Sequence, residues 1–475
     1  MRGASGRTGE ASMPAGQPTR RRLLQWLGVA GGSLAGVPGS AFAQADQPAE
    51  PSLQVSPAEP GYDDRLTIRV TGLEPGSTVL LTAQATDRDG TTWGAFARFE
   101  ADEEGRVSPA TQTPVSGTYE GLHAMGLVWS MRPAGRDKSI FVPPEGIHEL
   151  TITARRRGRM LDQRVVRRHF GPLDVRVEDA PNGLVGQLFY PGTGGPFPGV
   201  IVLHGSGGTP DRGTALLLAA HGYAVFAPQY FGDPRPLPDQ LAEVPVEYLD
   251  KARSWMAELD AVAEGQLGLF GTSKGAEYAL LGGATYDWAG AVVAIAPSGV
   301  VWAGLTQGRE RTSSWTLDGE PVDYLPTAFP LEVIADYLVS WPLGEAVSLR
   351  PTYEIPLERE SQARIEAATI PVEEIDGPVT LVAGGQDALW PSVQLARIAA
   401  ERLEARETAA PTRFLSYPTA GHGISFPYQP TTGLTAVPGF PPGTDLALGG
   451  TPTGLAVAAK RSWPEITATL AGGLR

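Results

Sequence analysis

The chain has no cysteine among its 475 residues. That one absence removes disulfides, thiolate zinc sites, iron–sulfur clusters and a cysteine nucleophile. Positive charge is also scarce: 38 Lys and Arg stand against 52 Asp and Glu, a formal net charge of −14. The basic footprint of a nucleic-acid binder is therefore missing, as is the charge that draws a protein to anionic lipid. Beyond the N-terminal head no apolar run approaches the roughly 18 residues of a membrane-spanning helix, so no stable membrane anchor is expected. Neither a P-loop pattern nor a dinucleotide fingerprint occurs, and no metal or cofactor is expected. What is abundant is apolar material, 42% hydrophobic against 19% charged, enough for a packed core. Gly 59 and Pro 43, with no fixed period, imply many tight turns.

The N-terminus reads as an address. Arg20-Arg21-Arg22-Leu23-Leu24 precedes a weakly apolar stretch from Trp26 to Pro38, and Ala41-Phe42-Ala43 follows. A basic head, a short apolar core and an A-x-A site describe a secretory signal. The Arg pair and Gly-rich core resemble a twin-arginine signal over residues 1–45, with cleavage near Ala43. An exported, periplasmic or extracellular protein handled by the twin-arginine export machinery is the expectation. Five Arg against one Glu up to Ala43 leave the remainder near −18.

Two patterns follow. Residues 52–170 read as all-β, a β-sandwich: Leu66-Thr67-Ile68-Arg69-Val70 alternates, Asp89-Gly90 is a hairpin turn, and Gly146 to Ala154 restarts the alternation. It carries no obvious constellation for chemistry, so it is read as a packing partner. Over residues 180–475 short apolar strands alternate with helical periods, as in a mostly parallel α/β sheet. The strands are Gly199–Leu203, Tyr223–Ala227, Gln266–Phe270, Ala291–Ala296, Val379–Ala383 and Arg413–Tyr417. Between Gly304 and Ile375 the alternation lapses into Trp-, Tyr- and Pro-rich sequence, read as a lid or substrate-pocket insertion.

Gly271-Thr272-Ser273-Lys274-Gly275 fits G-x-S-x-G directly after a strand and at the start of a helix, the setting of a nucleophile elbow. The turn is too tight for side chains at 271 and 275, hence the two glycines. Of six histidines, His422 alone lies late, just after the last strand, where the order Ser…Asp…His requires the base. Asp387, after the strand at 379–383 and the turn Gly384-Gly385, is the expected carboxylate. Asp376 competes but precedes that strand. An oxyanion hole needs two converging amides: Lys274, and either Ser206 or Gly207 in the loop His204-Gly205-Ser206-Gly207-Gly208. His204 is read as a prop for that loop.

With these residues quoted, the sequence resembles the acyl-CoA thioesterase and bile acid-CoA:amino acid N-acyltransferase family. The likeness rests on Val55-Ser56-Pro57-Ala58, Gly126-Leu127-Val128-Trp129-Ser130-Met131, Leu203 to Gly208, Ala219 to Val225, Ser273-Lys274-Gly275-Ala276-Glu277, Ala296 to Trp302 and Gly449-Gly450-Thr451-Pro452. It implies an Ig-like all-β domain, an α/β-hydrolase catalytic domain and attack on an activated acyl group. The resemblance divides between serine and cysteine nucleophiles, with bile-acid acyl transfer on the cysteine side, so Ser273 implies hydrolysis of an acyl thioester. An exported carboxylic-ester hydrolase and an acyltransferase to an amine or alcohol remain the alternatives, because an export signal and a chain poor in cations fit a polyanionic coenzyme A thioester badly.

Overall fold

The computed structural model describes residues 50–135, 140–181, 183–306, 311–406, 410–439 and 444–474. The expected export signal, 1–45, lies outside them. In the N-terminal part, alternation does what it should. Along Thr92–Glu100 every second side chain, Trp93, Ala95, Ala97 and Phe99, is buried while its neighbours are partly exposed. β1 (Ser52–Ser56) and β2 (Thr67–Thr71) form a two-stranded antiparallel sheet. β3 (Thr78–Thr86), β4 (Thr92–Glu100), β5 (Gly146–Arg156) and β6 (Arg159–Phe170) make up most of a six-stranded antiparallel sheet, in the order β4-β3-β5-β6. Leu53, Ile68 and Val70 from the small sheet meet Leu81, Trp93, Phe99, Leu150 and Ile152 from the large one in a shared core. The all-β sandwich is thus lopsided, with one layer only two strands wide.

The second sheet has eight strands: β7 (Val175–Asp179), β8 (Val185–Pro191), β9 (Gly199–Leu203), β10 (Ala224–Gln229), β11 (Leu267–Thr272), β12 (Ala289–Ile295), β13 (Val379–Gly384) and β14 (Thr412–Tyr417). Their order is β14-β13-β12-β11-β9-β10-β8-β7. The six from β9 to β14 run parallel, and β8 and β7 close one edge antiparallel. β9, β12 and β13 are buried at every position, as continuous apolar runs covered on both faces must be. Helices α1 (Arg212–Ala220), α2 (Glu247–Ala257), α3 (Lys274–Thr285), α7 (Ser392–Ala405) and α8 (Pro452–Leu474) cover the faces, and α4 (Leu331–Leu343), α5 (Pro351–Arg359) and α6 (Gln362–Ala368) lie in the long connection between β12 and β13. This is an α/β-hydrolase fold preceded by an all-β layer.

One expected helix is shorter than its period, and two segments hold helices that the sequence did not single out. The amphipathic period from Val246 to Val262 stops as helix at Ala257. Beyond it the backbone turns to pair with Phe197, whose N–H donates to Ala261 O (2.8 Å) and whose carbonyl accepts from Ala263 N (2.7 Å). Leu259 and Val262 still reach the core, but from a turn. The stretch from Gly304 to Ile375 is not a plain loop: it holds α4, α5 and α6. The C-terminal helix α8, packed on β12 and β13, carries no period that the sequence reading singled out.

The sandwich also braces the other part of the chain. Thr431, nine residues after His422, donates from its N–H to Trp129 O (3.0 Å), and the Thr432 hydroxyl donates to Met131 O (2.5 Å). The buried Arg168 guanidinium donates to the carbonyls of Tyr62 and, at 2.8 Å, Tyr428.

Candidate active site

β11 ends at Thr272 and α3 begins at Lys274, so Ser273 alone makes the turn between them. It sits at φ +59, ψ −122, a conformation that a residue with a Cβ adopts only under strain. The turn closes because both flanking residues are glycine. A Cβ on Gly275 would strike the carbonyl oxygens of Leu203 and His204, and one on Gly271 the carbonyl of Gly275. Ser273 N–H donates to Ile295 O (2.8 Å), tying the elbow to the end of β12. Lys274 N, the first amide of α3, has no hydrogen-bond partner among the described residues. It stands at the positive end of the helix, where developing negative charge is favoured.

Beyond β13 the chain bends at Gly384 and presents Asp387, which is almost fully buried. Its Oδ1 accepts the N–H groups of Leu389 (2.9 Å) and Trp390 (3.1 Å). Its Oδ2 lies 2.7 Å from His422 Nδ1. His422 follows β14, its own N–H donating to Leu448 O (2.8 Å) and its ring meeting Trp390 edge-on at 5.8 Å. With both carboxylate oxygens occupied, the imidazole is held with Nδ1 toward Asp387, which leaves Nε2 for other work. Ser273, Asp387 and His422 all follow the carboxyl ends of parallel strands. β11 and β13 are separated only by β12, a span of roughly 10 Å at ordinary strand spacing. The structure brings Asp387 and His422 into contact. Ser273 Oγ and His422 Nε2 each have no hydrogen-bond partner among the described residues, so that pair stands on one rim without a bond between them. Asp376 is exposed ahead of β13, at the other end of the sheet.

In the loop after β9, Ser206 and Gly207 are exposed, and the residue that comes against the serine is Gly205: a Cβ there would lie 3.3 Å from Ser273 Cβ and 3.8 Å from Oγ. His204 is the expected prop. Its ring stacks on Tyr230 at 4.1 Å, its Nδ1 is 2.7 Å from Gly205 O, and the Tyr230 hydroxyl donates to its carbonyl. Burial pushes its pKa down to about 4, so it is neutral near pH 7.

Sequence reasoning also passed over a buried ion pair under the elbow. Lys274 Nζ donates to Glu277 Oε1 (2.6 Å), and both side chains are sealed from solvent. The same oxygen accepts Trp315 Nε1–H (2.8 Å) and Trp302 N–H (3.2 Å). The three-residue helical spacing of Lys274 and Glu277 was the available signal. A second signal is Gly449-Gly450, quoted only for its resemblance. Both residues have φ +72, and side chains there would collide with Gln386 O and Gly421 N, so this turn clamps the Asp387 and His422 loops together.

The fold and the rim of catalytic side-chain types define an enzyme of the α/β-hydrolase class. Residues 63–180 match the acyl-CoA thioester hydrolase/BAAT N-terminal region, and residues 244–473 match the BAAT/acyl-CoA thioester hydrolase C-terminal region. The chain is 31% identical to mouse (Mus musculus) acyl-coenzyme A thioesterase 6, over 87% of this chain and 95% of that one. It is 31% identical to the mouse peroxisomal succinyl-coenzyme A thioesterase, over 78% and 84%. It is 30% identical to mouse acyl-coenzyme A amino acid N-acyltransferase 1, over 87% and 95%. The chain belongs to the acyl-CoA thioester hydrolase/BAAT family.

Proposed function

We propose that this protein is a serine hydrolase that cleaves acyl thioesters, working through Ser273, His422 and Asp387. The observation that carries the reading is the buried Asp387–His422 hydrogen bond on the rim where Ser273 makes the strained turn into α3. His422 Nε2 takes the proton of Ser273 Oγ as that oxygen bonds to the acyl carbon. The oxyanion so formed is held by Lys274 N–H and by an amide of the Gly205–Gly207 loop. Collapse breaks the carbon–sulfur bond, the thiol leaves with the proton from His422, and an ester on Ser273 remains. Water, deprotonated by His422, then attacks that ester and returns the serine. Asp387 stabilises the imidazolium in both halves.

The relatives' names point to a coenzyme A carrier. The two cations bonded into this site, Lys274 and Arg350, are engaged by Glu277 and Glu354, which supports including uncharged ester leaving groups in the test. A hydrolysis panel of acyl-CoA, aryl ester and lipid ester, run with and without candidate amine acceptors, separates thioesterase, esterase and acyltransferase. Ser273→Ala should abolish turnover and labelling by a fluorophosphonate, and full activity in that variant would end the proposal. The Arg-rich head extends the proposal to an exported protein, tested by whether the chain recovered from its producing cell starts just after Ala43.

A further inference from the structure

α4 turns its apolar side outward. Among its described side chains only Val333 is buried, with Tyr337 one turn later half-buried beside it. Leu331, Ile334 and Leu338, at i, i+3 and i+7, and then Val339 and Leu343 are 44–80% exposed, and Phe329 just ahead of the helix is 64% exposed. Soluble monomers rarely leave so many large apolar side chains on one contiguous face, and such a face marks an interaction site.

The segments on either side of this helix are tied to α5 and to the Asp387 loop. Ahead of it, Ala328 N–H donates to Thr352 O (3.1 Å). Behind it, Leu349 N and Arg350 N both donate to Ala388 O (3.1 Å each), Ser348 Oγ donates to the same carbonyl (2.6 Å), and Arg350 Nη1 donates to Asp387 O (3.2 Å). Whatever covers α4 therefore sits on the same insertion that is bonded to the Asp387 loop. The face is convex and spreads over roughly half the helix circumference, a shape that meets a surface rather than wrapping one chain. No Lys or Arg occurs from Tyr324 to Leu349, whereas Asp336 and Glu345 are exposed there. An apolar face with a carboxylate margin suits an uncharged or zwitterionic surface and is repelled by an anionic one.

We propose that α4 docks on the surface of uncharged or zwitterionic lipid aggregates and so presents amphiphilic acyl substrates to Ser273. This rests on the hydrolase reading and gives it a substrate class: long-chain acyl compounds packed in a lipid or micellar surface. At 13 residues the helix lies on such a surface; no described helix is long and apolar enough to cross a membrane.

The test uses the full chain and a Leu338→Asp/Val339→Asp variant, both positions exposed and outside the core. Flotation with phosphatidylcholine vesicles reads docking without any catalysis. Turnover of a soluble short-chain aryl ester reads the hydrolase itself, and turnover of a long-chain aryl ester is followed through its micelle threshold. The parent chain should float, and its long-chain rate should rise several-fold once micelles form. The variant should lose both, with vesicle partition down about tenfold or more, while the short-ester rate stays within about twofold. Phosphatidylglycerol vesicles should recruit the parent less well. Absence of flotation and of a micellar rise, or a variant that behaves as the parent does, overturns the proposal. So does a concentration-dependent dimer, seen by light scattering and broken by the variant, with no vesicle association, because a second copy of the chain would then be the occupant. Failure to cleave both the short ester and a short-chain acyl thioester, with flotation intact, removes the hydrolase reading and leaves the docking face.

Discussion

Glu277 offers the sharpest test of how the elbow is held. Lys274 and Glu277 are sealed from solvent, and burial pushes the two pKa values toward each other, Lys274 down and Glu277 up. Desolvation thus opposes the pair, and its net contribution to stability is small while both members are present. Removing one member is different, because it strands a charge. Glu277→Gln leaves the Lys274 ammonium with only a neutral amide oxygen and the Trp315 ring, 5.3 Å away, and no counter-charge. The expected loss is about 3–5 kcal/mol. Lys274→Met strands a carboxylate that still accepts the N–H groups of Trp315 and Trp302, so it should cost less, about 2 kcal/mol. In the double variant no charge is stranded, and the two losses should fall short of additivity by about 2 kcal/mol. Urea unfolding followed by tryptophan fluorescence measures this, with Trp302 and Trp315 in the same cluster. On activity, Glu277→Gln should lower kcat more than it raises KM, because Lys274 carries the proposed oxyanion amide. Losses that add within about 0.5 kcal/mol, or a Lys274→Met that is worse than Glu277→Gln, would refute the account of an anchored elbow.

Other outcomes follow from the same geometry. Ser273→Gly should abolish activity yet be more stable than Ser273→Ala by about 1 kcal/mol, since φ +59 strains alanine and not glycine; equal melting temperatures would mean that the turn stores no strain. Gly275→Ala drives a methyl into the carbonyls of Leu203 and His204, and should cost about 3 kcal/mol or more and silence the site, measured by urea midpoint and fluorophosphonate labelling. His148 is buried beside Tyr62 and Phe141, neither ring nitrogen has a partner, and burial, then Arg168, pushes its pKa down to about 3. Between pH 6.5 and about 3 the unfolded chain binds a proton that the native one refuses, so stability falls as pH drops, by at most about 1.4 kcal/mol per pH unit. His204 acts in the same sense down to about pH 4. His148→Phe should therefore show a shallower decline below pH 6.5, with little loss at neutrality; a parallel curve would exclude His148 as a source of acid sensitivity.

What was legible in the sequence was what short-range physics writes there. β9 and β13 announce themselves as unbroken apolar runs because both faces are covered, and G-x-S-x-G announces Ser273 because its turn admits only glycine at 271 and 275. Asp387 and His422 could be picked out because each follows a late strand, β13 or β14. What could not be read depends on contacts between distant segments. The helix after Val246 ends early because Phe197, some sixty residues upstream, claims the backbone at Ala261 and Ala263. Gly205 lies against Ser273 because the β9 loop and the elbow are packed side by side. α4 was invisible as a helix because its apolar residues do not form the narrow stripe of a core-facing helix: among its described side chains the one that is buried, Val333, stands opposite the exposed face.

The same reasoning says why so much of the chain converges on two loops. The Asp387 loop is bonded to segments on both sides: Ala388 O accepts from Ser348, Leu349 and Arg350, and Ala388 N donates to Leu448 O. His422 N shares that Leu448 carbonyl, and Thr431, further along the histidine loop, is held by Trp129 of the sandwich. A hydrogen bond of 2.7 Å between two loop residues is kept in register only if neither loop can shift alone. The insertion, the C-terminal turn and the all-β layer each remove one such freedom. The sandwich therefore needs no chemistry of its own to matter for the proposed turnover: in that mechanism, loosening Thr431 from Trp129 should act on the His422 imidazole.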